Sequence, residues 1–187
     1  MPDRGVRHDT YMIITISGLP GSGKSTVGKR LAKQLGYRFY SIGDLRGKMA
    51  MERGMSIAAL NKLGESEAWT DQEVDEYQKK LAHTEDNFVI DGRLSWHFIP
   101  QSFKVFLTVD VEEGARRIFR KQRPDEPPVQ SVEEMVTANR ARIASDNTRY
   151  QKWYGIQFND PKNYDVVIDT TRGGQKQVMK KILARLS

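Results

Sequence analysis

Eight residues constrain this chain more than any other stretch: Gly18-Leu19-Pro20-Gly21-Ser22-Gly23-Lys24-Ser25. They fit G-x-x-x-x-G-K-[ST] in full, a loop whose amides and lysine cradle phosphate. The flanks agree. Met12 to Ile16 is a compact apolar strand ahead of the loop. Lys24 to Leu35 reads as a helix after it, with Val27, Leu31 and Leu35 on one face and Gly36 as its stop. Gly18, Gly21 and Gly23 let the backbone curve and approach phosphate oxygens closely. The helix start aims free N–H groups at the same anion. Lys24 places a positive charge on the β and γ phosphates, Ser25 can ligate Mg²⁺, and Thr26 extends the donor set. Gly18, Gly21, Ser22, Gly23, Lys24, Ser25 and Thr26 are therefore the expected nucleotide-binding residues. The loop does not name the acceptor. A GTPase needs an Asn/Thr-Lys-x-Asp base-reading motif, which is absent, and a remodelling ATPase is usually a longer chain.

The rest of the chain alternates short apolar runs with longer amphipathic ones, the α/β pattern. Further strands are expected at Arg38 to Tyr40, Phe88 to Ile90, Lys104 to Val109 and Asp165 to Ile168. Residues Asp44 to Asp86 read as helical and polar, broken near Gly54 and Gly64, with one short helix at Ser56 to Leu63 and a longer one at Asp71 to His83. This block has few large aliphatics and reads as a small helical appendage able to move against the sheet. Asp110 with Glu113, and Ser131 with Glu134, carry the spacing of capping boxes. Between them Pro124, Pro127 and Pro128 exclude a continuous helix. Gln175 to Leu186 forms the last helix. The expectation is an α/β P-loop NTP hydrolase fold: five parallel strands covered by helices on both faces, strand order unspecified. Residues 1–10 are read as a flexible extension, 11–187 as one domain.

Composition excludes several chemistries. With no cysteine among 187 residues there is no disulfide, thiolate metal site or cysteine nucleophile, and the reducing cytoplasm is the expected compartment. Residues 1–10 are polar and Tyr11 to Ile16 is too short for a signal core. No run approaches the about 18 apolar residues of a membrane span. A net charge of +6 suits phosphorylated small molecules as well as nucleic acid.

Phe88-Val89-Ile90-Asp91-Gly92-Arg93 sets an acid and an arginine just past a strand end, where open α/β sheets bind ligands. Asp91 could orient a Mg²⁺-bound water or the metal itself, and Arg93 could clamp an acceptor phosphate. Arg116, Arg117, Arg120 and Arg123 lead into the proline-rich turn, as a basic helix end feeding a lid does. Arg142 and Arg149, seven apart, share a face of the next helix, and Arg149 is the better placed to reach back toward the site. Asp110 reads as a helix cap.

Together these residues resemble a nucleoside monophosphate kinase, and most closely the short cytidylate kinases of archaea and some bacteria. The resemblance runs from Met12 to the C-terminus. It is carried by the phosphate loop, Ser41-Ile42-Gly43-Asp44 with Arg46, Asp91-Gly92-Arg93-Leu94, Asn147-Thr148-Arg149-Tyr150 with Tyr154-Gly155-Ile156, and Tyr164-Asp165-Val166-Val167-Ile168-Asp169-Thr170. It implies transfer of the ATP γ-phosphate to CMP or dCMP. Residues 42–86 would bind the monophosphate and 121–131 would form a short lid. Arg46 would contact the acceptor phosphate with Arg93 as its partner, Asp44 and Arg142 would also serve the acceptor, and Asp91 with Ser25 would organise magnesium. Arg117, Arg120, Arg123 and Arg149 would grip the transferring phosphates beside Lys24. Gln122 to Gln130 departs from the family pattern in being rich in proline and acid. The implied partners are ATP, Mg²⁺ and a nucleoside monophosphate, with no nucleic acid and no membrane, and a monomer is the default. The residues alone leave open another small acceptor, such as AMP, UMP, shikimate or a sugar acid, and a nucleic-acid-associated ATPase marked by an exposed basic stripe.

Overall fold

A computed structural model describes residues 12–122 and 128–186. Five strands form one parallel sheet: β1 Ile13–Gly18, β2 Arg38–Ser41, β3 Phe88–Asp91, β4 Phe103–Thr108 and β5 Val166–Asp169, in the order β2-β3-β1-β4-β5. All four pairings are parallel. The chain runs outward from β1 to β2, returns to β3, then crosses β1 to β4. β1 is therefore the topological switch point, and the crevice beyond its carboxyl end lies between β3 and β4.

Alternation along the strands sorts the core into two layers. Ile14, Ile16, Val89, Val105 and Leu107 face α1 (Lys24–Leu35) and α8 (Gln175–Leu186), meeting Val27, Leu31, Val178 and Ile182. Ile13, Phe88 and Ile90 face the other way, toward Leu81 and Ile99. Phe106 packs there with Leu94, Tyr150 and Phe158. Five strands and helices on both faces match the sequence expectation.

Three helices fill the connection from β2 to β3: α2 Ile42–Glu52, α3 Ile57–Gly64 and α4 Trp69–Thr84. Met49, Ala50, Ile57, Leu60 and Val74 give them a small core of their own. After β3 comes a one-turn helix, α5 Ser95–Phe98, which the sequence pattern did not announce. Then follow α6 Val111–Phe119 and the long α7 Val132–Tyr154, which ends on Gly155. Residues 123–127, the centre of the expected lid, lie outside the described residues, as do residues 1–11. Among the described residues no helix is long and apolar enough to cross a membrane.

Both expected capping boxes form only in part. The Asp110 carboxylate accepts from the amides of Glu112 and Glu113 at 3.1 and 3.0 Å. Glu113 does not return the bond; it pairs with Arg117 Nε at 2.8 Å, and the Asp110 amide donates to Thr171 Oγ1 at 2.9 Å. At α7, Ser131 Oγ accepts from the Glu134 amide at 3.1 Å, while Glu134 accepts from the amide of Gln130, one residue early, at 2.7 Å. Ion pairing and a shift of one residue outcompete the reciprocal half of the motif.

Leu31 is fully buried between α1 and the sheet. Leu31→Ala is expected to cost about 2–5 kcal/mol, and Ser131→Ala about 1 kcal/mol through the lost cap. Urea unfolding followed by circular dichroism measures both.

Candidate active site

The phosphate loop leaves β1 at Gly18 and turns at once, with the Leu19 amide on Leu107 O at 3.0 Å and the Ser22 amide on Leu19 O at 3.1 Å. At Gly21 φ is +77°, and a Cβ there would lie 2.2 Å from the carbonyl oxygen of Gly114. Only glycine lets the loop pass so close to α6. Gly23 caps α1 in the left-handed region. The first helical bond runs from Val27 N to Gly23 O at 2.9 Å, so the amides of Lys24, Ser25 and Thr26 have no acceptor within the helix. These donors, with the half-buried Lys24 and Ser25, open onto a cavity of about 680 Å³ also lined by Arg117, Lys121 and Gly173. Such a loop turns a set of backbone amides and a lysine toward an anion.

Two residues brace it from behind. Thr170 Oγ1, past the end of β5, lies 3.1 Å from Ser22 O and 2.9 Å from Thr108 O. Arg117 of α6 donates to Thr170 O at 2.9 Å, to Thr171 O at 3.0 Å and to Gly21 O at 3.4 Å. Arg117 thus lines the nucleotide cavity with its guanidinium anchored.

Beside the loop, three other arginines converge from three elements. Arg93, just past β3, donates to Gly18 O at 3.4 Å, stacks on Phe158 at 4.8 Å and forms an ion pair with Asp146 of α7. Arg149, one turn further along α7 and only 1% exposed, pairs with Asp146 at 2.8 Å and with Asp71 of α4 at 3.0 Å. It also donates to the Tyr150 hydroxyl at 3.0 Å. Arg46 of α2 donates to Asn61 Oδ1 at 2.7 Å, to Thr70 O at 2.7 Å and to Asp71 Oδ1 at 3.0 Å. Its Nη2 is buried without a hydrogen-bond partner. The chain Arg46–Asp71–Arg149–Asp146–Arg93 therefore carries three positive charges against two negative. Burial, then the nearby Arg149, pull Arg46 below the ordinary arginine range. Burial acts the same way on Arg149, but Tyr150, Asp146 and Asp71 outweigh it and the net direction is upward. Both guanidiniums stay charged.

The other residues singled out from the sequence lie at varying distance from this centre. Asp91 is almost fully buried at the end of β3, in register with Ile16 of β1, and its Oδ2 has no hydrogen-bond partner. Asp91 and Ser25 could hold a hard cation through oxygen alone. Among the described residues no group of three or more His, Cys, Asp or Glu could hold a metal, so a cation here would draw its remaining ligands from water and phosphate. Asp44 is exposed in the first turn of α2, on a cavity of about 750 Å³ shared with Ser25, Thr26, Lys48 and Lys121. Arg142 is half-buried on α7. Arg120 is exposed at the end of α6 and joins none of these groups. Arg123 lies outside the described residues.

Sequence reasoning passed over Asp71, Asp146 and Asn61. Asp71 and Asp146 look like ordinary polar helix positions. The available signal was Asp146 standing four after Arg142 and three before Arg149, within reach of both on one helix face.

An anion loop at the switch point of a parallel sheet, faced by arginines from helices that cover it, is the build of a P-loop kinase for a small phosphorylated or nucleotide-like acceptor. Residues 13–172 match the cytidylate kinase-like family, and the chain belongs to that family. A protein of Methanothrix thermoacetophila named cytidylate kinase is 35% identical over 175 residues, covering 94% of this chain and 98% of that one. An S-adenosylmethionine-dependent nucleotide dehydratase of Lacinutrix mariniflava is 39% identical over 161 residues, which are 84% of this chain and 32% of that much longer protein. The crystal structure of a shikimate kinase from Bacteroides thetaiotaomicron superposes with a TM-score of 0.66 at 16% identity, covering 95% of this chain and 99% of that one. That likeness is one of fold.

One group near the arginines titrates close to neutrality. Asp75 of α4 accepts from the Tyr154 hydroxyl of α7. Burial, with the nearby Asp71, pushes its carboxyl up to about 7, against the opposing pull of Tyr154 and Lys79. The folded chain holds this proton more tightly than the unfolded one. The associated stability is complete below the ordinary value of 3.8 and is lost as pH rises from there to about 7. The slope is at most about 1.4 kcal/mol per pH unit. Asp75→Asn is expected to flatten the fall in melting temperature across that window, read by thermal unfolding in a pH series.

Proposed function

We propose that the protein transfers the γ-phosphate of ATP to CMP or dCMP, giving ADP and the nucleoside diphosphate. The observation that carries this is the convergence of Arg46, Arg93 and Arg149 beside the phosphate loop, with one positive charge in excess and a buried, unpartnered N–H on Arg46. Family membership and the Methanothrix relative support cytidylate as the acceptor.

In this reading the triphosphate lies along Gly18 to Thr26, with Lys24 on its β and γ groups. Ser25 and Asp91 would hold magnesium, which when bound would supply charge neutralisation at the transferring phosphate. An oxygen of the acceptor phosphate attacks the γ phosphorus in line. A new P–O bond forms as the bond to the β-bridging oxygen breaks, and ADP leaves with that electron pair. No side-chain nucleophile is needed; the protein supplies position and positive charge. Arg46 and Arg93 hold the acceptor phosphate, with Arg149 behind them and Asp44 and Arg142 at the margin. Arg117 serves the donor side, and Arg120 and Arg123 belong to the lid stretch. Residues 42–86 are the monophosphate-binding region and 121–131 the lid.

The test is acceptor-dependent ADP release from ATP and Mg²⁺ with CMP, dCMP, UMP, AMP, shikimate and gluconate. CMP and dCMP are expected to give the highest kcat/KM. Turnover of shikimate or gluconate in their place overturns the reading. Arg93→Ala is expected to lower kcat/KM for the acceptor by about 100-fold or more with ATP affinity retained. An equal loss of ATP binding contradicts its placement on the acceptor side.

A second reading has one observation in its favour. Helices α1 and α8 together hold eight Lys and Arg and no acid, so with a net charge of +6 the remaining residues sum to −2. Lys29, Arg30, Lys33, Lys176, Lys180 and Arg185 are exposed on that face. This is the basic surface a nucleic-acid-associated ATPase uses. Oligonucleotide binding that survives Lys24→Ala at physiological salt supports it, and absence of binding removes it.

A further inference from the structure

Asp71 has no part in the transfer just described, yet it occupies the middle of the arginine group. Its two oxygens serve two different helices: Oδ1 accepts from Arg46 of α2 and Oδ2 faces Arg149 Nε of α7, each at 3.0 Å. All three side chains are buried, between 1% and 8% exposed. The surrounding chain is cut to fit. A Cβ on Gly64 would lie 2.7 Å from Arg149 Cδ and 2.6 Å from Thr70 Oγ1, so any larger residue displaces the arginine or the start of α4. Two guanidiniums buried this close repel one another, and a single carboxylate between them offsets that repulsion while fixing their relative angle. The arrangement leaves Arg46 Nη2 buried and unsatisfied. An unpaired buried donor costs free energy, and it is retained where a ligand supplies the missing acceptor.

We propose that Asp71 is a positioning residue, a shared counter-ion that aligns Arg46 and Arg149 as one rigid pair facing the anionic group of the acceptor. The inference rests on the phosphoryl-transfer reading above and deepens it. Asp71 touches neither substrate; it acts through the two arginines. Its effect therefore belongs to the acceptor half of the reaction alone. Positioning within a fraction of an ångström is worth orders of magnitude in rate, so a displaced carboxylate is nearly as damaging as a missing charge.

Two variants test this. Asp71→Asn removes the charge at constant shape, and Asp71→Glu keeps the charge while moving the carboxylate by one methylene. Each is compared with wild type for kcat and KM toward both substrates, using the acceptor that wild type turns over best in the panel, together with melting temperature. The expected result is a fall of about tenfold or more in kcat/KM for the acceptor in both variants, with the KM for ATP within about twofold of wild type. Asp71→Asn is expected to melt lower, because two buried guanidiniums lose their counter-ion. Asp71→Glu is expected to melt within about 3 °C of wild type and still turn over poorly. If Asp71→Glu restores the acceptor kinetics, counter-charge alone is required and the positioning role is overturned. It is also overturned if both variants match wild type on the acceptor, or if ATP and acceptor parameters fall together. Should Asp71→Asn fail to fold, Asp71→Glu decides. A wild-type protein that phosphorylates no acceptor in the panel overturns the transfer reading, and this inference with it. Active wild type with unaffected variants overturns this inference alone.

Discussion

A guanidinium inside a protein needs a counter-charge, and here three of them share two carboxylates. Arg93, Arg149 and Arg46 come from the end of β3, from α7 and from α2, which are far apart in sequence. Asp146 and Asp71 join them into one chain of ion pairs. Removing either acid leaves buried positive charges facing each other, which costs more than any single hydrogen bond in the site. These five charges tie α2, α4 and α7 to one another and to the end of β3.

That constraint changes how the helices between β2 and β3 are understood. Their polar sequence and separate small core suggest an appendage free to swing. In the structure they are tied to the last two turns of α7. Trp153 Nε1 donates to Gly64 O and Lys152 Nζ to Glu65 O, both at 2.8 Å. Tyr154 donates to Asp75, and Arg149 holds Asp71. Any opening of α2–α4 away from the phosphate loop must break these bonds together. It would also expose two arginines and two aspartates to water, which solvates them well. Helices α2–α4 are thus held to α7 by contacts that would have to break together, so any opening is a concerted event.

The fold was largely legible because its signals are local. Ile14, Ile16 and Val89 alternate with residues of the opposite layer, and α1 begins at Lys24 and ends before Gly36 as its periodicity and its glycine require. The phosphate loop was legible for the same reason: eight contiguous residues carry its whole motif. Strand order was not, since it depends on which crossovers bury α1 and α8 on one face and α6 and α7 on the other. In the site, Arg46, Arg93 and Arg149 stood out by residue type and by motif. Asp71 and Asp146 did not, because an aspartate on a polar helix is read as solvated until its partner, some 20 to 80 residues away, is placed beside it. Arg120 sits in a basic run and is exposed at the end of α6.

The division of labour across the sheet follows from the same geometry. Everything that would hold a triphosphate is built on β1, α1 and the brace of Arg117 and Thr170, elements whose shape is fixed by backbone hydrogen bonds. The likeness to the shikimate kinase extends over 95% of this chain and is one of fold, so it says nothing of the acceptor. In the proposed reaction, discrimination between acceptors would fall to side chains on the connection between β2 and β3 and on α7, where Arg46, Asp71, Asp75 and Tyr154 meet. On the proposed reading, the surplus positive charge there would favour an anion on the acceptor before any base is read. A neutral acceptor would leave Arg46 Nη2 unpaired and lose the free energy of that hydrogen bond. On that reading charge would be the first filter of this site, and the shape of the helical connection the second.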